Sequence, residues 1–577
     1  MLPYGDDQAM TTPTISDKTF FGHPRGLATL FFTEMCERFS YYGMRALLTL
    51  FMTAPLAVAG NPGLGYGAAK AGAVYGLYTS MVYLLALPGG WVADNLWGQR
   101  RAVFVGGCLI AAGQFALASP LVGMPGTPSF FTGLLLIVLG TGLLKPNVST
   151  MVGELYPSAE AAGDDEEAHL RAEKWGAKRD AAFSIFYMGI NLGAILGPFV
   201  AGTLGERINW HWGFSAAGFG MILGLIQYKM GDKYLGNVGY LSTSDSSEVV
   251  ARNSRIFYLT TAVVAAVIAV LVTMAVQGVF TVSLQGFATW LGYGILLVTI
   301  LFFTYLILSA AWAAGVAAVF AGLAAILVPQ FGTTMGGRYA IAAVLGLFIV
   351  MNGIFLAVGG ERVTTTKKRL MVIFWLFLLA AVFWSGFEQA GSSMNLFARD
   401  LTNRVFFGWE MPTTWLQNVN PIFIVVLAPV FGWLWTWLAQ RDANPSIPLK
   451  FGLGLMGLAV GFFVISWGAA QATPEQPVTS AWLVVTYFLH TCGELALSPV
   501  GLSSMTKLAP KGRVGQMMGI WFIAAALGNL IAGLVAGQLE ALEPSQVFRT
   551  VALVSGGVGV IALLMSRPVK RLMAGIE

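Results

Sequence analysis

The sequence predicts an all-helical protein that crosses a membrane many times. Apolar residues make up 56% of its 577 residues and charged residues only 11%. A soluble chain carries about 25% charged residues, so one this long could not coat the several domains it would form. Mean hydropathy is +0.70. The apolar residues gather in runs of about 20, the length a helix needs to cross hydrocarbon. They lack the period-two alternation of barrel strands. A soluble enzyme, a nucleic-acid binder and a secreted disulfide scaffold are thereby excluded. The net charge of +5 needs no anionic partner, because an excess of Lys and Arg on one side of the membrane produces it.

In chain order, a polar tail (1–26) comes first. It lacks the basic start, short apolar core and cleavage site of a signal peptide, so the first run is expected to remain as helix one. Runs at 27–58, 70–93, 102–120, 128–152, 181–204 and 212–230 form an N-terminal six-helix bundle, 27–230. The connector 231–369 holds further runs at 256–277, 287–309, 311–330 and 339–358. A second six-helix bundle, 370–566, follows with runs at 370–397, 416–438, 450–469, 481–505, 516–538 and 547–566, then a tail, 567–577. Basic clusters at Arg100/Arg101, Arg252/Arg255, Lys367 to Arg369, Lys507 to Arg513 and Arg567 to Arg571 fall in alternate loops. The positive-inside rule then puts both termini in the cytoplasm and requires an even number of inserted helices. Four inserted runs give 16 crossings; the alternative is 14, if two are short or re-entrant.

The two bundles repeat one another. LGAILGPFVAGTL (192–204) is echoed by LGNLIAGLVAGQL (527–539), and Pro146 and Pro157 are spaced as Pro499 and Pro510 are. GGWVADNLWGQRR (89–101) has a degraded copy in FGWLWTWLAQR (431–441). Any one match could be a coincidence of Gly-rich helices, but three fall in the same order. Two such halves joined by a helical insert resemble the parallel repeat of a major-facilitator carrier.

The candidate functional residues are charges inside these helices, where ionisable groups are costly and usually face a bundle interior or cavity. The first helix carries TEMCERFSYYGMR, and at 3.6 residues per turn Glu34, Arg38, Tyr41 and Arg45 share one face with Glu37 beside it. Lys145 and Glu494 sit at matching depths of the repeat, just before Pro146 and Pro499. A lone buried charge is far costlier than a paired one, so Lys145 is expected to reach Glu494 across the two halves. Glu388, bracketed by Gly386 and Gly391, has Arg45 as its natural counter-ion. Such a pair can open as the halves rock, and a proton on the carboxylate would release it; the alternative is that both pairs are static. Three cations and four carboxylates suit a zwitterion with one amino and one carboxyl end. Tyr41, Tyr42, Tyr78, Tyr187, Asn191, Asn420 and Trp521 could add hydrogen bonds and aromatic walls. Pro146, Pro421 and Pro499 are expected to interrupt their helices. Cys36, Cys108 and Cys492 lie in apolar stretches without metal-ligand spacing.

With these residues in view, the chain resembles the proton-dependent oligopeptide transporters. ExxERFxYY, here Glu34 to Tyr42, looks like that family's first-helix signature. The likeness continues in FYMGINLGAILGP around Asn191, FWSGFEQAGSSMNLFA around Glu388, NPIFIVVLAP from Asn420 and GELALSPVGLS around Glu494. The resemblance implies symport of di- and tripeptides with protons by alternating access in the bacterial inner membrane, with no cofactor. By motif position it implies that Glu34, Glu37, Arg38 and Glu388 couple protons. Arg38 and Lys145 would lie near the peptide carboxylate, and Glu494 would receive the amino terminus. Lys145–Glu494 would be an inner gate and Arg45–Glu388 an outer one. Tyr42, Tyr78, Asn191, Asn420 and Trp521 match pocket positions. The chain departs from the animal members, which use a second-helix histidine, because residues 70–93 contain none; coupling then falls to carboxylates. No GxxxxGK[ST] loop appears, so ATP is not expected as the energy source. A carrier of the same fold for another small anion or amino-acid conjugate is the second reading. A non-transporting receptor or scaffold is the third.

Overall fold

The computed structural model describes residues 19–57, 60–156, 166–241, 247–277, 283–308, 312, 315, 319 and 364–576. Helix α1 spans Gly26–Thr53, α2 Ala68–Trp97, α3 Gln99–Val122 and α4 Gly126–Glu154. Helix α5 runs over Glu166–Gly197 and continues through a π-helical turn, Pro198–Gly202, into Thr203–Arg207. Helices α6 (Trp210–Gly231), α7 (Ser247–Val276) and α8 (Leu284–Ile307) follow. Helix α9 is Thr365–Phe387, prolonged by a 3-10 turn, Glu388–Gly391, and by Ser393–Asp400. The remaining helices are α10 (Val419–Ala439), α11 (Ile447–Ala469), α12 (Ala481–Leu508), α13 (Val514–Ala536) and α14 (Pro544–Leu572). Among the described residues, strands are confined to two-residue pairs in the loops, such as Val405–Phe406 against Trp409–Glu410.

Twelve helices among the described residues are long and apolar enough to span a bilayer. Helices α1 and α6 have the length as well, but α1 carries Glu34, Glu37, Arg38 and Arg45. The expected run at 339–358 lies outside the described residues, as do most of the run at 311–330 and most of the tail 1–26. Apolar side chains on α10 point outward: Ile422, Val425, Val426, Val430 and Trp433 are exposed. A patch of that kind would be a liability in water, whereas hydrocarbon accommodates it.

The prolines behave differently from expectation. Helix α4 runs unbroken through Pro146 and α12 through Pro499, and Pro421 sits in the first turn of α10. A proline removes one backbone hydrogen bond without ending a helix when neighbouring segments support the freed carbonyl.

The chain forms two compact units. The first comprises residues 1–43, 85–200 and 214–260; the second comprises 44–84, 201–213 and 261–577. In the first, α3 packs along α4, and Leu27, Leu30, Leu144, Val148, Met151 and Met221 build a core. At its margin, His23 Nδ1 lies 2.8 Å from the Tyr156 hydroxyl. Burial and then Lys178 hold the His23 imidazole below its ordinary range, which favours a neutral contact there.

The second unit joins residues from both halves of the chain. Phe377, Phe383, Phe451, Leu455, Phe462 and Phe548 fill its core. Helix α2 crosses α13 so closely that a Cβ on Gly533 would sit 2.3 Å from the Gly72 carbonyl oxygen and 2.6 Å from Gly76 Cα. Only glycine fits such a backbone contact. Gly533→Ala is therefore expected to cost about 1–3 kcal/mol of stability by overpacking. It would show as a lower thermal-unfolding midpoint in detergent; an unchanged midpoint would mean the crossing has slack.

Candidate functional site

The first cluster lies in the first unit, on successive turns of α1. Arg38 Nε is 3.0 Å from Glu34 Oε1 and 2.5 Å from Glu37 Oε2, and all three side chains are buried. The spacing i, i+3, i+4 that places them on adjoining faces is the one the sequence predicts. Two carboxylates against one guanidinium leave a formal charge of −1, so a single proton would make the triad neutral. The contacts are close in distance yet not aligned as hydrogen bonds, and Arg38 Nη2, Glu34 Oε2 and Glu37 Oε1 are buried without a hydrogen-bond partner. Unsatisfied buried polar atoms are costly. The Arg38 guanidinium carbon lies 5.4 Å from the centre of the buried Tyr41 ring, which meets Tyr42 edge-on at 5.2 Å. Lys145, half-buried on α4, is within electrostatic reach of Glu34. On α5, Asn191 is buried and donates to the Tyr187 carbonyl at 3.0 Å, while the Tyr187 side chain is exposed.

The second cluster belongs to the second unit. Arg45 Nη2 lies 2.6 Å from Glu388 Oε2, with both side chains buried. This is the pairing expected from sequence, between residues 343 positions apart. The 3-10 turn that ends the straight part of α9 sets Glu388 at this point. Arg45 Nε also donates to the Tyr75 hydroxyl at 2.7 Å. A Cβ at Gly391 would sit 2.0 Å from that hydroxyl and 3.0 Å from Arg45 Nε, so glycine is needed for the arginine to lie flat beside the turn. Around the pair, Thr49 donates to the Gly391 carbonyl, Asn395 Nδ2 to the Ala46 carbonyl at 2.9 Å, and Arg399 Nη1 to Thr53 Oγ1 at 2.6 Å. The end of α1 is thus laced to the end of α9 over two turns.

A third cluster, also in the second unit, centres on Glu494. Asn420 Nδ2 donates to Glu494 Oε2 at 3.2 Å and to Thr491 Oγ1 at 2.9 Å. Trp521 is buried against Phe451 and the backbone of Gly501, and Tyr78 is buried on α2. Lys145 lies in the first unit and Glu494 in the second.

Tyr75, Thr49, Asn395 and Thr491 were not singled out in the sequence. Tyr75 precedes Tyr78 by one helical turn on α2, which was the available signal. Small hydroxyl and amide side chains that bond to backbone carbonyls leave no pattern in a single sequence.

The pattern of the POT family matches residues 100–550. The chain is 38% identical to the peptide transporter YePEPT of Yersinia enterocolitica subsp. palearctica, over 98% of each chain. It is 34% identical to the di-/tripeptide transporter of Lactococcus lactis subsp. cremoris, over 97% of this chain and 99% of the relative. Among solved structures, a crystal structure of peptide transporter POT in complex with sulfate superimposes with a TM-score of 0.77 at 34% identity, covering 97% of this chain and 98% of that one.

Proposed function

The chain belongs to the POT family, and on that premise we propose that it is a proton-coupled symporter that imports di- and tripeptides by alternating access. One observation carries the proposal furthest. The buried Arg45–Glu388 pair joins the first helix to the turn that ends α9, and a proton on Glu388 would remove the attraction that holds it. A gate that a proton can unlock ties the proton gradient to conformation.

The other clusters divide the remaining work. Glu34, Glu37 and Arg38 take up a proton and present Arg38 to the peptide carboxylate, with Lys145 beside them. Glu494, steadied by Asn420, receives the peptide amino group and alternates with Lys145 as its partner in an inner gate. Tyr41, Tyr42, Tyr78, Tyr187, Asn191 and Trp521 line the pocket. The architecture is two six-helix bundles, 27–230 and 370–566, in the major-facilitator arrangement with an insert at 231–369. It makes 16 crossings, or 14 if two of the four inserted runs are short or re-entrant. The protein sits in the bacterial inner membrane with both termini in the cytoplasm, and it needs no ATP or cofactor.

Purified protein in liposomes tests this directly. Dialanine is expected to accumulate inside when the exterior is acidic and only to equilibrate when the two pH values match. Equal uptake in both conditions would remove proton coupling, and no uptake in either would remove the peptide.

A further inference from the structure

We propose that Glu206 and Glu540 are a repeat-related pair of carboxylate latches that hold shut the same end of the second unit as Arg45–Glu388 and must release for the carrier to open there. The proposal rests on the alternating-access reading above. Glu206, just past the π-helical turn of α5, accepts the backbone N–H of Thr413 and of Thr414 at 2.8 Å each, and the Thr414 hydroxyl at 2.7 Å. These are the first free donors of the 3-10 turn, Thr413–Asn418, that leads into α10. Glu540, just past α13, accepts the backbone N–H of Ala69 at 2.8 Å, in the first turn of α2. Each carboxylate thus caps the start of the second helix of the opposite half.

The repeat makes the match more than a coincidence. In LGAILGPFVAGTL and LGNLIAGLVAGQL the aligned leucines are Leu204 and Leu539, and the glutamates follow them by two and one residues. Aligned Gly202 and Gly537 make equivalent close approaches: a Cβ on Gly202 would meet Thr414 Oγ1, and one on Gly537 would lie 3.0 Å from Ala69 Cα. Around the Glu206 latch, Trp415 Nε1 donates to Thr203 Oγ1 at 2.8 Å and Arg207 donates to the Glu410 carbonyl. The latches lie where α5 and α13 end and where α2 and α10 begin. Arg45 lies near the end of α1 and Glu388 near the end of α9. Alternating helix directions put all six helix termini at one end of the unit.

A carboxylate on helix-start N–H groups is a charge-assisted contact, part-buried at Thr413 and Thr414 and exposed at Ala69, and an exchangeable one. Water replaces it when the segments part, so it biases the closed form without welding it. In a background with Cys36, Cys108 and Cys492 replaced by Ser, nitroxide labels at Leu56→Cys and Phe407→Cys, both on exposed loops at this end, would report its opening by pulsed electron resonance. Glu206→Gln is expected to raise the open-to-closed ratio about tenfold and Glu540→Gln about fivefold, the two multiplying in the double variant. Glu388→Gln serves as the reference. If it opens this end and neither latch variant does, the latches are refuted while alternating access stands. If none of the three variants changes the distance distribution, alternating access at this end fails with them. A lower melting temperature without a shift in the distances would reduce both glutamates to structural caps, which also overturns the proposal.

Discussion

Glu388→Gln is expected to leave dialanine at the same concentration inside and outside proteoliposomes under an inward proton gradient, while exchange of labelled for unlabelled peptide continues. One pH unit is worth about 1.4 kcal/mol per proton, or about tenfold in peptide concentration for each proton coupled. The variant should lose that factor entirely. Glutamine keeps the size of Glu388 beside Arg45 but cannot alternate between charged and neutral, so protonation no longer decides whether the pair is shut. Arg45 loses the charge of its 2.6 Å partner while keeping its bond to Tyr75. The gate is then weakened permanently, which permits the loaded transition that exchange requires and the empty return that equilibration requires. Full accumulation in this variant would take Glu388 out of the coupling role.

Arg38→Lys is expected to lower dialanine uptake about a hundredfold at unchanged protein level, through the loss of the charge-assisted hydrogen bond that Nη2 would give the peptide. The charge is conserved, so a role as a point charge would leave uptake nearly normal. Arg38 can hold one edge of its guanidinium toward Glu34 and Glu37 and offer Nη2, which has no hydrogen-bond partner, to a ligand. An ammonium has no such second edge. Near-normal uptake would mean that the planar fork is dispensable and that only the positive charge is used.

Much of this was legible in the sequence because lipid imposes blunt rules. Helices appear at nearly every expected run, α3 at 99–122 against 102–120 and α6 at 210–231 against 212–230, since hydrocarbon tolerates no unbonded backbone. Buried charges were legible for the same reason: Arg45 needed a mate, and Glu388 was the deep carboxylate available. Harder to read were features set by neighbours. Pro146 and Pro499 looked like breaks, yet the packed surroundings let α4 and α12 continue. The Tyr75 hydroxyl, the Gly391 turn and the Glu206 cap depend on which segments meet, and local spacing does not encode that.

The crossing of α2 on α13 has one more consequence. Where Gly72, Gly76 and Gly533 touch, main chain rests on main chain, and at those three positions no side chain has to be withdrawn before the two rods slip or part. A joint of that design resists little along its length while tolerating no bulk. Interlocked leucines would instead have to change rotamers one after another. The seam can therefore act as a smooth bearing, leaving the timing of each stroke to the ionised groups at its edge.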